Sequence, residues 1–414
     1  MKRRKPGAPI PTDRHPVIDK GLYKVLEMLM KRREMFHAVL AVETLDGSYR
    51  WSAAAGDADL FDRPMTTGTP WFVSGLDHFF NTVIAVKLAE RDLIDFDEPI
   101  ARHLDPEVIR GLHVMDGRDA TEEITVRNLL GHSSGLADWF EDSPRGALSI
   151  LDDALQNGDR AVSRDEIRAH LRERLRPHFP PQNGWQPKKI RYSTTNSFLL
   201  GLVLEAVTGK PLPEVHRELL HDSLSLEQTF FFDPDAEPDA ARVADGTTDA
   251  ARVADGATSA PGVSRNPAAV HFQGAPVELP RLMHSLGGLC STVDDTIMFM
   301  RAVVTGKIFD DPATAATMTG QWNRFPFPLD RTAMRQPAWP IEYGLGIMRF
   351  QLRRIFTPRS LMPSVVGHTG ITGSWLLWSP ERDLLLSGTV DEFTAGALPF
   401  QTIVPEILRI AALK

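Results

Sequence analysis

The sequence predicts an α+β fold: an antiparallel sheet contributed by both chain ends, flanked by helices, with a mainly helical region inserted between them. Three observations predict it. Strand patterns lie near the start, at 36–44 and 49–55, and near the end, at 374–378 and 384–390; each pair is split by a turn signal, Asp46-Gly47 and Ser379 to Asp383. Residues 124–136, 143–175 and 196–220 carry helical patterns with few strand signals. A long helix from Ser74 to about Arg91 contains Val83-Ile84-Ala85-Val86, apolar on every side, which marks it as buried. The division that follows is a flexible tail at 1–17, an α/β domain from 18–105 and 285–414, and a mainly helical domain at 106–284.

Two further helices frame the sheet. Residues 18–34 place Leu22, Val25, Leu26 and Leu29 at helical spacing, with basic residues near the end, and 402–412 is amphipathic. Within the helical domain, residues 239–248 are nearly copied by 249–258. Two ten-residue copies are too few and too short for a solenoid, so this reads as a duplicated surface loop.

Composition narrows the function classes. Hydrophobic residues at 42% and charged residues at 24% of 414 exclude a wholly disordered chain. A net charge of −8 gives no general affinity for nucleic acid or an anionic membrane. No run of eighteen apolar residues occurs, and the basic start is followed by prolines and charges in place of an apolar segment. With Cys290 the single cysteine, a disulfide framework and a cysteine zinc site are excluded, and a cytoplasmic location is expected. There is no His-Glu-x-x-His and no glycine-rich phosphate loop, so neither metal nor cofactor is expected; the expected partner is a small-molecule substrate.

Four segments carry candidate chemistry: Ser74-Gly75-Leu76-Asp77 at a helix start, Tyr192 to Asn196 before a helix, Gly287 to Thr292, and Gly367-His368-Thr369-Gly370 before a strand. Each has a bland reading. Ser74 and Asp77 match a capping box, Tyr192 can be a core aromatic, and the glycine pairs can be turns. His132 reads as a buried structural residue, and His78 lies about 100° round the helix from Asp77.

In their order and context the segments resemble the serine β-lactamase and penicillin-binding protein superfamily, in its class C-like branch of esterases and D-aminopeptidases. Ile124 to Leu136, containing Leu129-Leu130-Gly131-His132-Ser133-Ser134-Gly135-Leu136, is the most specific match. Lys87 to Ile100, Tyr343-Gly344-Leu345-Gly346 and Gly367 to Gly370 complete the set, so the resemblance runs from about residue 36 almost to the end. It implies the β-lactamase/transpeptidase-like fold and attack by a serine on an ester or amide. By that likeness Ser74 is the nucleophile, Tyr192 the proton-handling tyrosine and His368-Thr369-Gly370 the strand motif. The N–H groups of Ser74 and Ile371 then form the oxyanion hole. A helix start concentrates N–H donors where negative charge develops, which agrees.

Two positions depart from the family pattern. Its lysine is Asp77 here, and its asparagine after the tyrosine is Thr194; its strand lysine is His368, a replacement familiar in its esterases. A carboxylate in place of the lysine disfavours both the serine alkoxide and the tyrosinate. Apolar Leu76, Phe80, Val83 and Ile84 raise the Asp77 pKa while the helix start lowers it, which leaves its protonation open. Three readings follow. In the first, an intracellular hydrolase or acyltransferase works through acyl-Ser74, with Tyr192 as base, Asp77 assisting, and His368, Thr194, Thr369 and Gly370 binding substrate. In the second, Asp77, Tyr192 and His368 do acid–base work in a lyase, isomerase or cyclase. In the third, the chain is a non-catalytic binding member.

Overall fold

The computed structural model describes residues 12–182, 184, 187, 189–236, 265–329, 334–336, 340–351 and 363–411. The 239–258 duplication and the first eleven residues of the tail lie outside them. Eight strands form one antiparallel sheet: β1 (His37–Thr44), β2 (Arg50–Gly56), β3 (Asn323–Arg324), β4 (Glu342–Tyr343), β5 (Met348–Gln351), β6 (Ser364–Thr369), β7 (Trp375–Ser379) and β8 (Leu384–Thr389), in spatial order β3-β4-β5-β6-β7-β8-β1-β2. The join between the chain ends is β1 against β8, in register from Val39↔Thr389 to Thr44↔Leu384.

The join is central because both strands are buried along their whole length, which suits a near-continuous apolar run covered on both faces. Side chains alternate between two cores: Val39 and Ala41 enter one, Ala38, Leu40 and Val42 the other. The second core is closed by α1 (His15–Met30) through Leu22, Val25, Leu26 and Leu29, and by the C-terminal α8 (Val404–Ala411). The first core holds α2 (Asp77–Glu90), α3 (Val126–Leu130), α4 (Ile150–Asn157), α5 (Arg164–Glu173), α6 (Thr194–Thr208) and α7 (Val293–Val304). Helix α2 is buried without a break from His78 to Leu88. No helix among the described residues is long and apolar enough to cross a membrane.

Several elements differ from the sequence expectation. The 143–175 pattern is two helices, α4 and α5, parted after Gly158, whose φ of 99° only glycine adopts easily. The 124–136 pattern keeps helix only at Val126–Leu130, capped by Thr125 and ended at Gly131. Strands β3, β4 and β5 are two to four residues long, too short for an alternation to show. The Gly367-His368-Thr369-Gly370 motif precedes strand β7 as expected but also ends strand β6, and Ile371 falls in the turn between them.

Helix α2 is held to α7 by Phe80 stacked on Phe299, ring centroids 3.9 Å apart and both rings fully buried. Phe299→Ala should cost about 3–5 kcal/mol of unfolding free energy, read as a lower urea midpoint at unchanged slope.

Candidate active site

Ser74 is held in a strained position by a second, three-stranded sheet. Trp71–Phe72 pairs with Leu289–Ser291, which pairs with Phe230–Phe231, and the Val73 N–H donates to Leu289 O at 3.0 Å. The chain then turns sharply: Ser74 has φ of 50°, a left-handed conformation that costs a non-glycine residue about 1–2 kcal/mol. A short 3₁₀ turn, Ser74–Leu76, leads into α2. The capping-box expectation fails, because α2 begins at Asp77 with no side-chain cap; Ser74 Oγ instead lies 3.2 Å from Thr372 Oγ1.

Glycines press the motifs together. A methyl group on Gly75 would sit 2.8 Å from the Tyr192 hydroxyl oxygen and 3.1 Å from Thr369 O. One on Gly370 would sit 2.9 Å from Ser74 Cβ. The serine turn, the tyrosine and the end of β6 therefore meet in direct contact. Among the described residues neither the Ser74 N–H nor the Ile371 N–H donates to another backbone group, so both can serve an oxyanion. These elements line one cavity of about 870 Å³, which includes Ser74, Asp77, Tyr192, Thr194, Thr369, Gly370 and Ile371. Its outer walls are mostly apolar, with Phe198, Leu202, Phe231, Ile341 and Phe400 among them.

Electrostatics at the nucleophile follow from burial. The Asp77 carboxyl is pushed up to about 7 by burial, opposed only by the His78 N–H, so desolvation outweighs the helix start. The backbone of Gly287 packs so closely that a Cβ there would lie 2.9 Å from Asp77 Oδ2. Tyr192 is held well above the usual phenol range, first by burial and then by Asp77, Asp138 and Glu141. Its phenol is therefore protonated at neutral pH, a correction to the expectation of Tyr192 as base.

His368 is corrected as well. Its side chain is fully buried and does not line the cavity. Strand alternation puts Thr369 on the cavity and turns His368 away. The His368 Nδ1–H donates to Thr369 O at 2.8 Å, which leaves Nε2 to accept from the Tyr343 hydroxyl at 2.9 Å. Burial lowers its pKa to about 3, and its ring lies 6.1 Å from that of Tyr192. It belongs to a buried stack with His78, His132 and Tyr343 behind the tyrosine. His132 is structural: its Nδ1 accepts from Asn196 Nδ2 at 2.8 Å and from the Ser193 N–H at 3.3 Å.

Thr194 is tethered to Asp138, Oγ1 to Oδ1 at 2.5 Å and N–H to Oδ2 at 2.9 Å. Asp138 lies two residues after the Leu129–Leu136 signature, and that proximity was the signal available for it. Cavity-lining Glu141, Ser197 and Gln336 escaped the sequence reading; Gln336 lies in a segment without any motif.

The Beta-lactamase family profile matches residues 24–394. The chain belongs to the Beta-lactamase family. Penicillin-binding protein 4* of Bacillus subtilis (strain 168) is 26% identical over 197 residues, 46% of this chain; the match spans 36% of that protein's own length. Esterase EstB of Burkholderia gladioli is 28% identical over 284 residues, 67% of this chain and 68% of that one. The solved structure of EstCE1, described as a hydrolase with promiscuous acyltransferase activity, superposes with a TM-score of 0.67 at 19% identity, covering 96% of this chain and 99% of that one. That likeness shows the β-lactamase/transpeptidase-like fold. Family and relatives together support a serine hydrolase-type function.

The raised Asp77 pKa has a stability consequence with a definite sign. Between the ordinary aspartate value of 3.8 and about 7, the folded protein holds a proton that the unfolded chain has released. This stability is complete below the lower value and is lost as pH rises through the upper one. In Asp77→Asn that loss disappears. Urea unfolding from about pH 4 to about pH 8 should show the variant gaining on the wild type by a few kcal/mol as pH rises; parallel curves would show that Asp77 titrates normally.

Proposed function

We propose that this protein is an atypical serine hydrolase or acyltransferase that acts on a small ester or amide through acyl-Ser74. The observation that carries the reading is the meeting of Ser74, Asp77, Tyr192 and the undonated N–H groups of Ser74 and Ile371 in one cavity. Ser74 Oγ attacks the carbonyl carbon, and the carbonyl oxygen takes the developing charge between the two N–H groups. The serine proton passes to the Asp77 carboxylate. It returns through the Tyr192 hydroxyl to the leaving alcohol or amine as the C–O or C–N bond breaks. Water or an acceptor alcohol then attacks the acyl-serine, and the same relay takes its proton and restores it to Ser74. The carboxyl near neutrality replaces the family's lysine as the group that gains and loses the proton, while Tyr192 stays a phenol in the resting state.

The near-neutral carboxyl also favours a second reading, acid–base chemistry at Asp77 without an acyl-enzyme. The two separate cleanly. A fluorophosphonate should add one adduct, mapped to Ser74 by peptide mass spectrometry, and Ser74→Ala should lower ester kcat/KM by about 10³-fold or more. A Ser74→Ala protein that keeps its activity while Asp77→Asn loses it would establish the second reading instead. In the wild type, kcat/KM should rise with pH and level off above about 7, following Asp77. Asp77→Asn should lower it by roughly 10²–10⁴-fold and remove that limb of the profile.

A further inference from the structure

One face of α6 lines the cavity through Thr194, Ser197, Phe198, Gly201 and Leu202, the spacing of a single helical stripe. Its two polar members nearest the nucleophile are hydroxyls whose protons are already committed. Thr194 donates its O–H to Asp138. Asp138 is a buried hub that also accepts from the Phe140 N–H at 2.8 Å, the Glu141 N–H at 3.1 Å and Gln336 Nε2 at 3.0 Å. Ser197 is paired with His78, Oγ to Nδ1 at 2.9 Å.

The direction of that pair follows from the far side of the ring. His78 Nε2 faces Leu130 O at 3.4 Å, and a carbonyl only accepts, so Nε2 carries the proton. Burial keeps the ring neutral, its pKa lowered to about 4, so Nδ1 is bare and Ser197 is the donor. Both hydroxyls therefore face the cavity with lone pairs only. Gln336 lines the same cavity and braces Asp138 through its Nε2 at 3.0 Å. An asparagine at 194 would have offered an N–H₂ group from the same wall. Asn81, one turn beyond Asp77, is the exception: its Oδ1 faces His216 Nε2 at 2.7 Å, which leaves its amide protons toward the cavity.

We propose that Thr194 and Ser197 form an acceptor-only wall that reads a hydrogen-bond donor on the acyl part of the substrate, a hydroxyl, amide N–H or ammonium, and rejects a carbonyl placed there. The inference rests on the acyl-Ser74 reading only for which part of the substrate faces the wall. Its physical basis is general: buried acceptors left unpaired are costly, so a ligand without the donor is penalised.

Binding to the Ser74→Ala protein tests this without any need for turnover. The probes are N-methyl amides of 3-phenylpropanoic acid carrying at C2 a hydroxyl, an amino group, an oxo group or hydrogen, with both enantiomers of the chiral pair, measured by titration calorimetry. The hydroxy or amino arm should bind at least about tenfold more tightly than the hydrogen and oxo arms. Whichever donor arm leads shows whether charge contributes. Adding Ser197→Ala or Thr194→Val should bring that preference below about threefold. Equal binding of all four, a leading oxo arm, no binding by any arm, or a preference that survives both substitutions would overturn the proposal. Wild-type labelling by a fluorophosphonate keeps the two readings apart. Selective binding without a Ser74 adduct removes the acyl-transfer reading and leaves the wall standing; an adduct without selective binding does the reverse.

Discussion

A desolvated carboxyl group at the first turn of α2, with no cation acting on it among the described residues, is the constraint from which the rest of the site follows. Asp77 carries this burden because the helix behind it is buried from His78 to Leu88 and packs against α6 and, through Phe80 and Phe299, against α7. The apolar packing around it disfavours the charge, and the positive end of the helix compensates only through the His78 N–H. The result is a group that gains and loses a proton near neutral pH. Burial first, and then the same carboxyl with Asp138 and Glu141, raises the Tyr192 phenol further.

The nucleophile depends on a different physical term, backbone strain. Ser74 at φ of 50° is stable only because its neighbours over-determine it. The three-stranded sheet holds Val73 on one side, and the contact of Gly75 with Tyr192 and Thr369 leaves no other path on the other. Neither the Ser74 nor the Ile371 N–H donates to another backbone group among the described residues, and both residues line the cavity. The strained serine and the desolvated carboxyl lie within one turn of each other at the start of α2.

Much of the fold was legible in the residues, and the illegible parts have physical reasons. The central strands announced themselves, since His37–Thr44 and Leu384–Thr389 are long apolar runs bounded by turn residues. The edge strands did not, because a two-residue strand such as Glu342–Tyr343 has no period to detect. At the site, Ser74, Asp77, Tyr192, Thr194, Thr369, Gly370 and Ile371 were legible through motif order, and they do line one cavity. His368 was misread because a motif gives adjacency in the chain, whereas a strand sends adjacent side chains to opposite faces. Gln336 and Ser197 were invisible, as their roles depend on partners 198 and 119 positions away. The protonation of Asp77 was undecidable from sequence, because burial and helix dipole push it in opposite directions and only packing sets their balance.

The two departures from the family pattern, Asp77 and Thr194, act in one direction. Each removes a positive or hydrogen-bond-donating group from the nucleophile's surroundings and leaves an acceptor in its place. Independent losses at a decaying site would not be expected to share a polarity, nor would they be matched by new partners. Here Thr194 is matched by Asp138 and Asp138 by Gln336, while Gly287 leaves the space that Asp77 fills. Such mutual fitting is consistent with the proposed wall, which asks the substrate to supply a hydrogen-bond donor. Reverting either position alone would break the set: an asparagine at 194 would lose the short hydroxyl bond to Asp138, and a lysine at 77 would crowd the Gly287 backbone in a space that now holds a shorter side chain. The chemistry of the pocket is therefore a property of the pair of changes together with the residues that packed around them.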